Sequence, residues 1–176
     1  MSVNTLYLQK EKTGSSMVST VEEFGIYVAD SMPAMDPNEA KVDGNSQDWA
    51  DEDGLDVYDT DKVFMTEFEV EIPLVCTGDN PSECREAYRK MMNYITGRTY
   101  KVVNGNDVKS EGSLMMVYQP WVGYGRKSVR FKSTSNHQFW RDGNGYSVYT
   151  FTLKVEVCDP VTEVRLNSGG TGLDAI

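Results

Sequence analysis

The most regular stretch of the chain is KVFMTEFEVEIPLVCTG, in which apolar and polar positions alternate. Phe68, Val70, Ile72, Leu74 and Cys76 fall on one phase, and Glu67, Glu69 and Glu71 on the other. A period of two marks a strand with one face in a core and one in water, as antiparallel sheets provide. Pro73 sits on the polar phase and removes a ladder donor, which predicts a sheet edge or a bulge there. The alternation recurs in YSVYTFTLKVEV, with Tyr149, Phe151, Leu153, Val155 and Val157 on the inner phase and Thr150, Thr152, Lys154 and Glu156 outside. Shorter runs read as further strands: TLYLQ (5–9), EFGIYVAD (23–30), TYKVV (99–103), SLMMVYQ (113–119), KSVRFKST (127–134) and HQFW (137–140). RDGNG then supplies a tight hairpin.

One segment changes period. In NPSECREAYRKMMNYITG, Cys84, Ala87, Tyr88, Met91, Met92 and Ile95 recur at helical spacing and form a single buried stripe. Asn80 is a natural N-cap, Pro81 suits the first helical position, Glu83 completes a capping box, and Gly97 stops the helix. The pattern therefore predicts a mainly β fold, an antiparallel β-sandwich or barrel, with one flanking α-helix at about 81–96. Residues 1–165 read as one domain with a long loop at 31–62. The glycine-rich tail at 166–176 is expected to be flexible unless a partner holds it.

Charge sharpens the picture of that loop. The net charge is −10, and residues 30–61 hold eleven acids against Lys41 alone, which is the whole imbalance. The remaining sixteen acids and sixteen bases cancel. An acidic chain is a poor ligand for nucleic-acid phosphates. No run of eighteen apolar residues exists to span a membrane as a helix, and the opening MSVNTLYLQKEKTG does not read as a secretory signal. Cys76, Cys84 and Cys158 are odd in number, form no C-x-x-C pair, and read as small apolar residues in a reducing compartment.

The segment DWADEDGLDVYDTD invites a calcium-loop reading. Setting Gly54 at loop position 6 places Asp51 and Asp53 correctly at 3 and 5, but puts Trp49 at position 1 and Thr60 at position 12. Both end ligands fail, so no metal site is assigned. His137 is the only histidine and lies in a strand-like segment, without a nucleophile elbow, an H-E-x-x-H pair or zinc-ligand spacing. Paired loop carboxylates could serve a hydrolase only if held rigidly in a cleft, which a loop rich in glycine and aspartate does not predict. We therefore assign no catalytic residue and no cofactor. In GRKSVRFK, by contrast, Arg126, Ser128, Arg130 and Lys132 are expected on one strand face. That basic face could meet the acidic loop of a neighbouring subunit, which makes Asp48, Asp51, Asp53, Asp56, Asp59, Asp61, Arg126, Arg130 and Lys132 the candidate subunit interface.

The order of features is more specific than any one motif. An acidic D-x-D-G turn leads into FEVEIPLVCTGDNPSECREAYRKMMNYITG, then come further strands, an R-D-G-N-G hairpin and a last strand ending at CDP. Over residues 20–160 this resembles the N-terminal domain of phage distal tail proteins, and more broadly the tail-tube and baseplate-ring fold. The wording W-x-D-x-D-G-L-D-V-Y is similar to tail proteins of phages from gut Bacteroidales. The resemblance implies a structural virion protein assembled in the bacterial cytoplasm, forming a ring, hexameric in that family, with itself and other tail proteins. DNA would pass through the lumen without specific binding. No second, carbohydrate-binding-like domain follows residue 160, so tip, tube and collar or terminator rings all stay open. A glycan-binding β-sandwich using Trp49, Trp121 and Trp140 as stacking platforms is the alternative of another class.

Overall fold

The computed structural model describes residues 4–29, 31–41, 46–48, 55–57, 62–103, 106–109 and 112–176. Its central pair is β6 (Phe68–Gly78) and β11 (Ser147–Val157), antiparallel and in register from Phe68 opposite Val157 to Gly78 opposite Ser147. The alternation seen in the sequence now has its cause. Val70, Ile72, Leu74 and Cys76 are buried on the same face as Tyr149, Phe151, Leu153 and Val155. Each large apolar side chain taken from water there contributes about 1.5–3 kcal/mol. A slip of one residue would turn the slipped strand's acids inward.

Around this pair the sheet runs β2 (Met17–Ser19), β1 (Tyr7–Lys10), β9 (Met115–Gln119), β10 (Tyr124–Arg141), β11, β6 and β3 (Ile26–Val28). Every pairing is antiparallel. The Val28 amide donates to the Asn4 carbonyl at 2.7 Å, so the β3 edge touches the segment leading into β1. The sheet thus curls around its core without closing into a barrel. Pro73 pairs with Thr152, and its carbonyl accepts from the Ala29 amide just past the end of β3. Because N–H and C=O of a residue point to the same side of an antiparallel strand, its missing donor falls on that edge.

Helix α2 (Pro81–Ile95) packs across the inner face, burying Cys84, Met91, Tyr94 and Ile95. The Asn80 side chain accepts from the Glu83 amide at 3.1 Å, and the Glu83 carboxylate accepts from the Asp79 amide at 3.0 Å. At the other end Gly97 takes φ 78, its amide bonds to Tyr94 O, and the Arg98 amide bonds to Asn93 O. That pair of bonds is the Schellman closure that a glycine at this position permits.

Several expectations need correction. The chain has a second, short helix, α1 (Thr20–Phe24), where EFGIYVAD was expected to be all strand. Ser19 caps it by accepting from the Glu22 amide, and Gly25 ends it at φ 68 before β3 begins. KSVRFKST and HQFW are one strand, β10, bent by bulges at three places. The loop at 31–62 contains a hairpin, β4 (Ser46–Asp48) with β5 (Leu55–Val57), forming a small sheet of its own. After α2, β7 (Thr99–Val103) pairs with β8 (Asn106–Lys109).

The tail at 166–176 is tied within the chain instead of being loose. β12 (Glu163–Leu166) pairs with both β10 and β13 (Leu173–Ala175). Val164 and Leu173 are buried against Tyr7, with Met116 and Tyr118 packed beside them on the outer face. The Gln9 side chain accepts from the Leu173 amide at 2.7 Å.

At Gly125 the strands β9 and β10 come so close that an added Cβ would lie 1.9 Å from the Val117 carbonyl oxygen. Gly125→Ala should therefore cost about 2–4 kcal/mol in urea unfolding. Gly143→Ala, in the open RDGNG turn with nothing within 4 Å, should be near neutral.

Candidate functional site

Positive side chains on the sheet were expected to share one face. The bulge between Arg126 and Val129, with Ser128 at φ 53, breaks that expectation. An extra residue in one strand shifts the phase of everything before it. Arg126 and Val129 therefore lie on the same face, opposite Val117 and Met115 of β9, and Arg126 is buried. Arg130 and Lys132 stay on the outer face.

Buried Arg126 needs partners and has three. Its guanidinium donates to the Met35 carbonyl at 2.5 Å, to the Asp36 carboxylate at 2.9 Å and to the Val161 carbonyl at 3.3 Å. Tyr124 joins the same group, donating to Asp36 at 3.1 Å and accepting from the Met35 amide at 3.1 Å. Met35 itself is buried in the core. The start of the acidic excursion is thus clamped to its own sheet.

On the outer face the charges form a ladder across three strands. Arg130 pairs with Glu156, and Lys132 bridges Glu156 at 3.1 Å and Glu69 at 2.7 Å. Lys154 continues it to Glu69 at 3.3 Å and Glu71 at 3.0 Å. Hydrogen bonds from Lys132 and Arg130 hold the Glu156 carboxyl below the usual carboxylate range, and those from Lys132 and Lys154 do so for Glu69. So Arg126, Arg130 and Lys132 are all neutralised within the chain. Asp48 and Asp56 lie on the separate β4–β5 hairpin, whereas Asp51, Asp53, Asp59 and Asp61 fall outside the described residues.

His137 is held on both nitrogens, Nδ1 by the Tyr149 hydroxyl and Nε2 by Thr134 Oγ1 at 3.1 Å. Its ring stacks on Phe151 and meets the edge of Tyr88, whose hydroxyl also bonds Thr134. This aromatic cluster supports the far half of β10, where Phe139 and Trp140 are half or more exposed, as is Tyr146 beyond the turn. Trp121, also exposed, precedes β10, and Trp140 sits near its far end. They therefore lie at opposite ends of that strand. Trp49 lies outside the described residues.

Cys76 and Cys84 are buried, as expected, and burial with Cys84 alongside pushes the Cys76 thiol up to about 12. Cys158 is exposed instead of packed, because it lies one position past β11 on the strand's outward phase. Among the described residues no three of His, Cys, Asp and Glu converge as cation ligands, and no helix is long and apolar enough to cross a membrane.

A buried charge lies at the end of β1, where no motif marks it. Lys10 continues the inward phase of Leu6 and Leu8 and is buried opposite Met115. Its ammonium donates to the Ile95 carbonyl at 3.1 Å, at the negative end of α2, and lies 4.8 Å above the Tyr94 ring. Burial lowers its pKa from 10.5 to about 8. Below pH 8 the folded and unfolded chains both carry the proton, and folding bears the full cost of burying it. Between 8 and 10.5 only the unfolded chain keeps it, so stability rises with pH across that window. Lys10→Met should be more stable at neutral pH by about 1–3 kcal/mol in urea unfolding, with the gap closing as pH rises through the window.

No family model matches the chain, and a search of curated proteins finds no match either.

Proposed function

We propose that this chain is a non-enzymatic structural protein of a bacteriophage tail that assembles with copies of itself into a ring at the tail tip, tube or collar. The observation that supports this best is the free edge of β10. Beyond Val129 the strand leaves β9 and continues to Arg141 with β11 on one side only. Among the described residues, no strand pairs with its other side at 132–141. No strand among the described residues pairs with 68–72 of β6 on the side away from β11, because β3 reaches only Cys76 to Leu74.

An edge strand that long presents unpaired amides and carbonyls, and soluble domains ordinarily shorten, cover or charge such edges. Here one free edge lies on each flank of the sheet. Pairing the β10 edge of one copy with the β6 edge of the next joins two different surfaces, and repeated contacts of that type close into a ring or run on as a tube. Trp140 and Tyr146 at the arm's end would be covered in the process. The outer ladder of paired charges leaves that face close to neutral, and the surplus of acid would discourage DNA phosphates from sticking.

Negative-stain images of the concentrated, purified chain should show rings or short tubes, and Trp140→Lys should shift them towards single subunits. The same variant should keep its unfolding free energy within about 0.5 kcal/mol, because Trp140 is exposed. Uniform small particles at every concentration would overturn the reading.

A further inference from the structure

On the exposed side of α2, Ser82, Arg85, Glu86, Tyr88 and Arg89 line a cavity of about 440 Å³. The acids nearby are already engaged. Glu86 pairs with Lys90 at 3.3 Å, and Glu83 accepts from the Asp79 amide and the Asn80 side chain at the helix start. Arg85 and Arg89, one helical turn apart and both exposed, have no ion-pair partner among the described residues. On the sheet, in contrast, Arg126, Arg130, Lys132 and Lys154 are each paired with carboxylates of their own chain.

The rest of the imbalance sits elsewhere. Residues 42–61 carry eight acids and no base, interleaved with Trp49, Leu55, Val57 and Tyr58. The two strands described there, β4 and β5, pair only with each other and add nothing to the main sheet. That acidic segment, and a cavity offering two guanidiniums without an ion-pair partner among the described residues and a phenol, are complementary in charge and in apolar content.

We propose that Arg85 and Arg89 receive the acidic β4–β5 hairpin of a second copy of this chain. The inference rests on the self-assembly argued above and names one of its contacts. It also moves the basic half of that contact from Arg126, Arg130 and Lys132 to the helix. Guanidinium groups suit the role because each can grip a carboxylate through two parallel hydrogen bonds.

Sedimentation velocity on three forms of the full-length chain tests this: wild type, Arg85→Glu with Arg89→Glu, and Asp48→Arg with Asp56→Arg. Each double variant alone should associate about tenfold more weakly than wild type. An equimolar mixture of the two should recover association, because each reversed surface then meets its complement on the other copy. Circular dichroism should show all three equally folded. If the helix variant assembles like wild type, or the mixture gains nothing over its components, this docking is wrong while the ring can stand. If the wild type itself is a single subunit at every concentration, the ring reading falls and this contact with it.

Discussion

The in-register pairing of β6 with β11 is the constraint on which the other elements depend. It places two rows of apolar side chains on one face and a row of alternating charges on the other. Helix α2 can lie only where the apolar rows are, and its Cys84, Met91 and Ile95 complete the same core. The outer ladder from Arg130 to Glu71 exists because the same register brings Glu69, Lys154 and Glu156 side by side. Such exposed pairs contribute little stability individually. They matter because they neutralise the face and thereby concentrate the chain's uncompensated charge in one segment.

Much of this was legible in the sequence. The strict alternation at 68–76 and 149–157 fixed the two main strands and their faces, and Asn80, Pro81 and Gly97 bracketed the main helix to within a residue. What failed to show were departures from periodicity. Nothing in GRKSVRFK announces that Ser128 will adopt a positive φ, yet that single bulge decides whether Arg126 faces water or the core. Gly25 divides a stretch whose composition suits a strand throughout. The terminal hairpin depended on a surface patch, around Tyr7, that only tertiary structure reveals. Lys10 stood in the inward phase and passed unread because lysine is so seldom buried.

The candidate interface was legible as composition and illegible as geometry. Acidic and basic residues are unevenly placed along the chain, but the alternating bases Arg130 and Lys132 find their carboxylates on neighbouring strands of their own sheet. Arg126 serves the fold, clamping Met35 and Asp36 where the chain leaves the core. Arg85 and Arg89, without an ion-pair partner among the described residues, lie on the side of α2 away from its apolar stripe. Among the described residues, an edge of β10 and a pair of guanidiniums on α2 are features that intramolecular contacts leave without partners.

Hydrogen–deuterium exchange as a function of protein concentration tests the central idea, that the far half of β10 is an edge built to be covered by another copy. Amides at 132–141 should exchange quickly in dilute solution wherever they point away from β11, and become protected as the chain is concentrated, while those of β6 facing β11 stay slow throughout. Exchange along the arm that is unchanged over the whole concentration range would contradict the account.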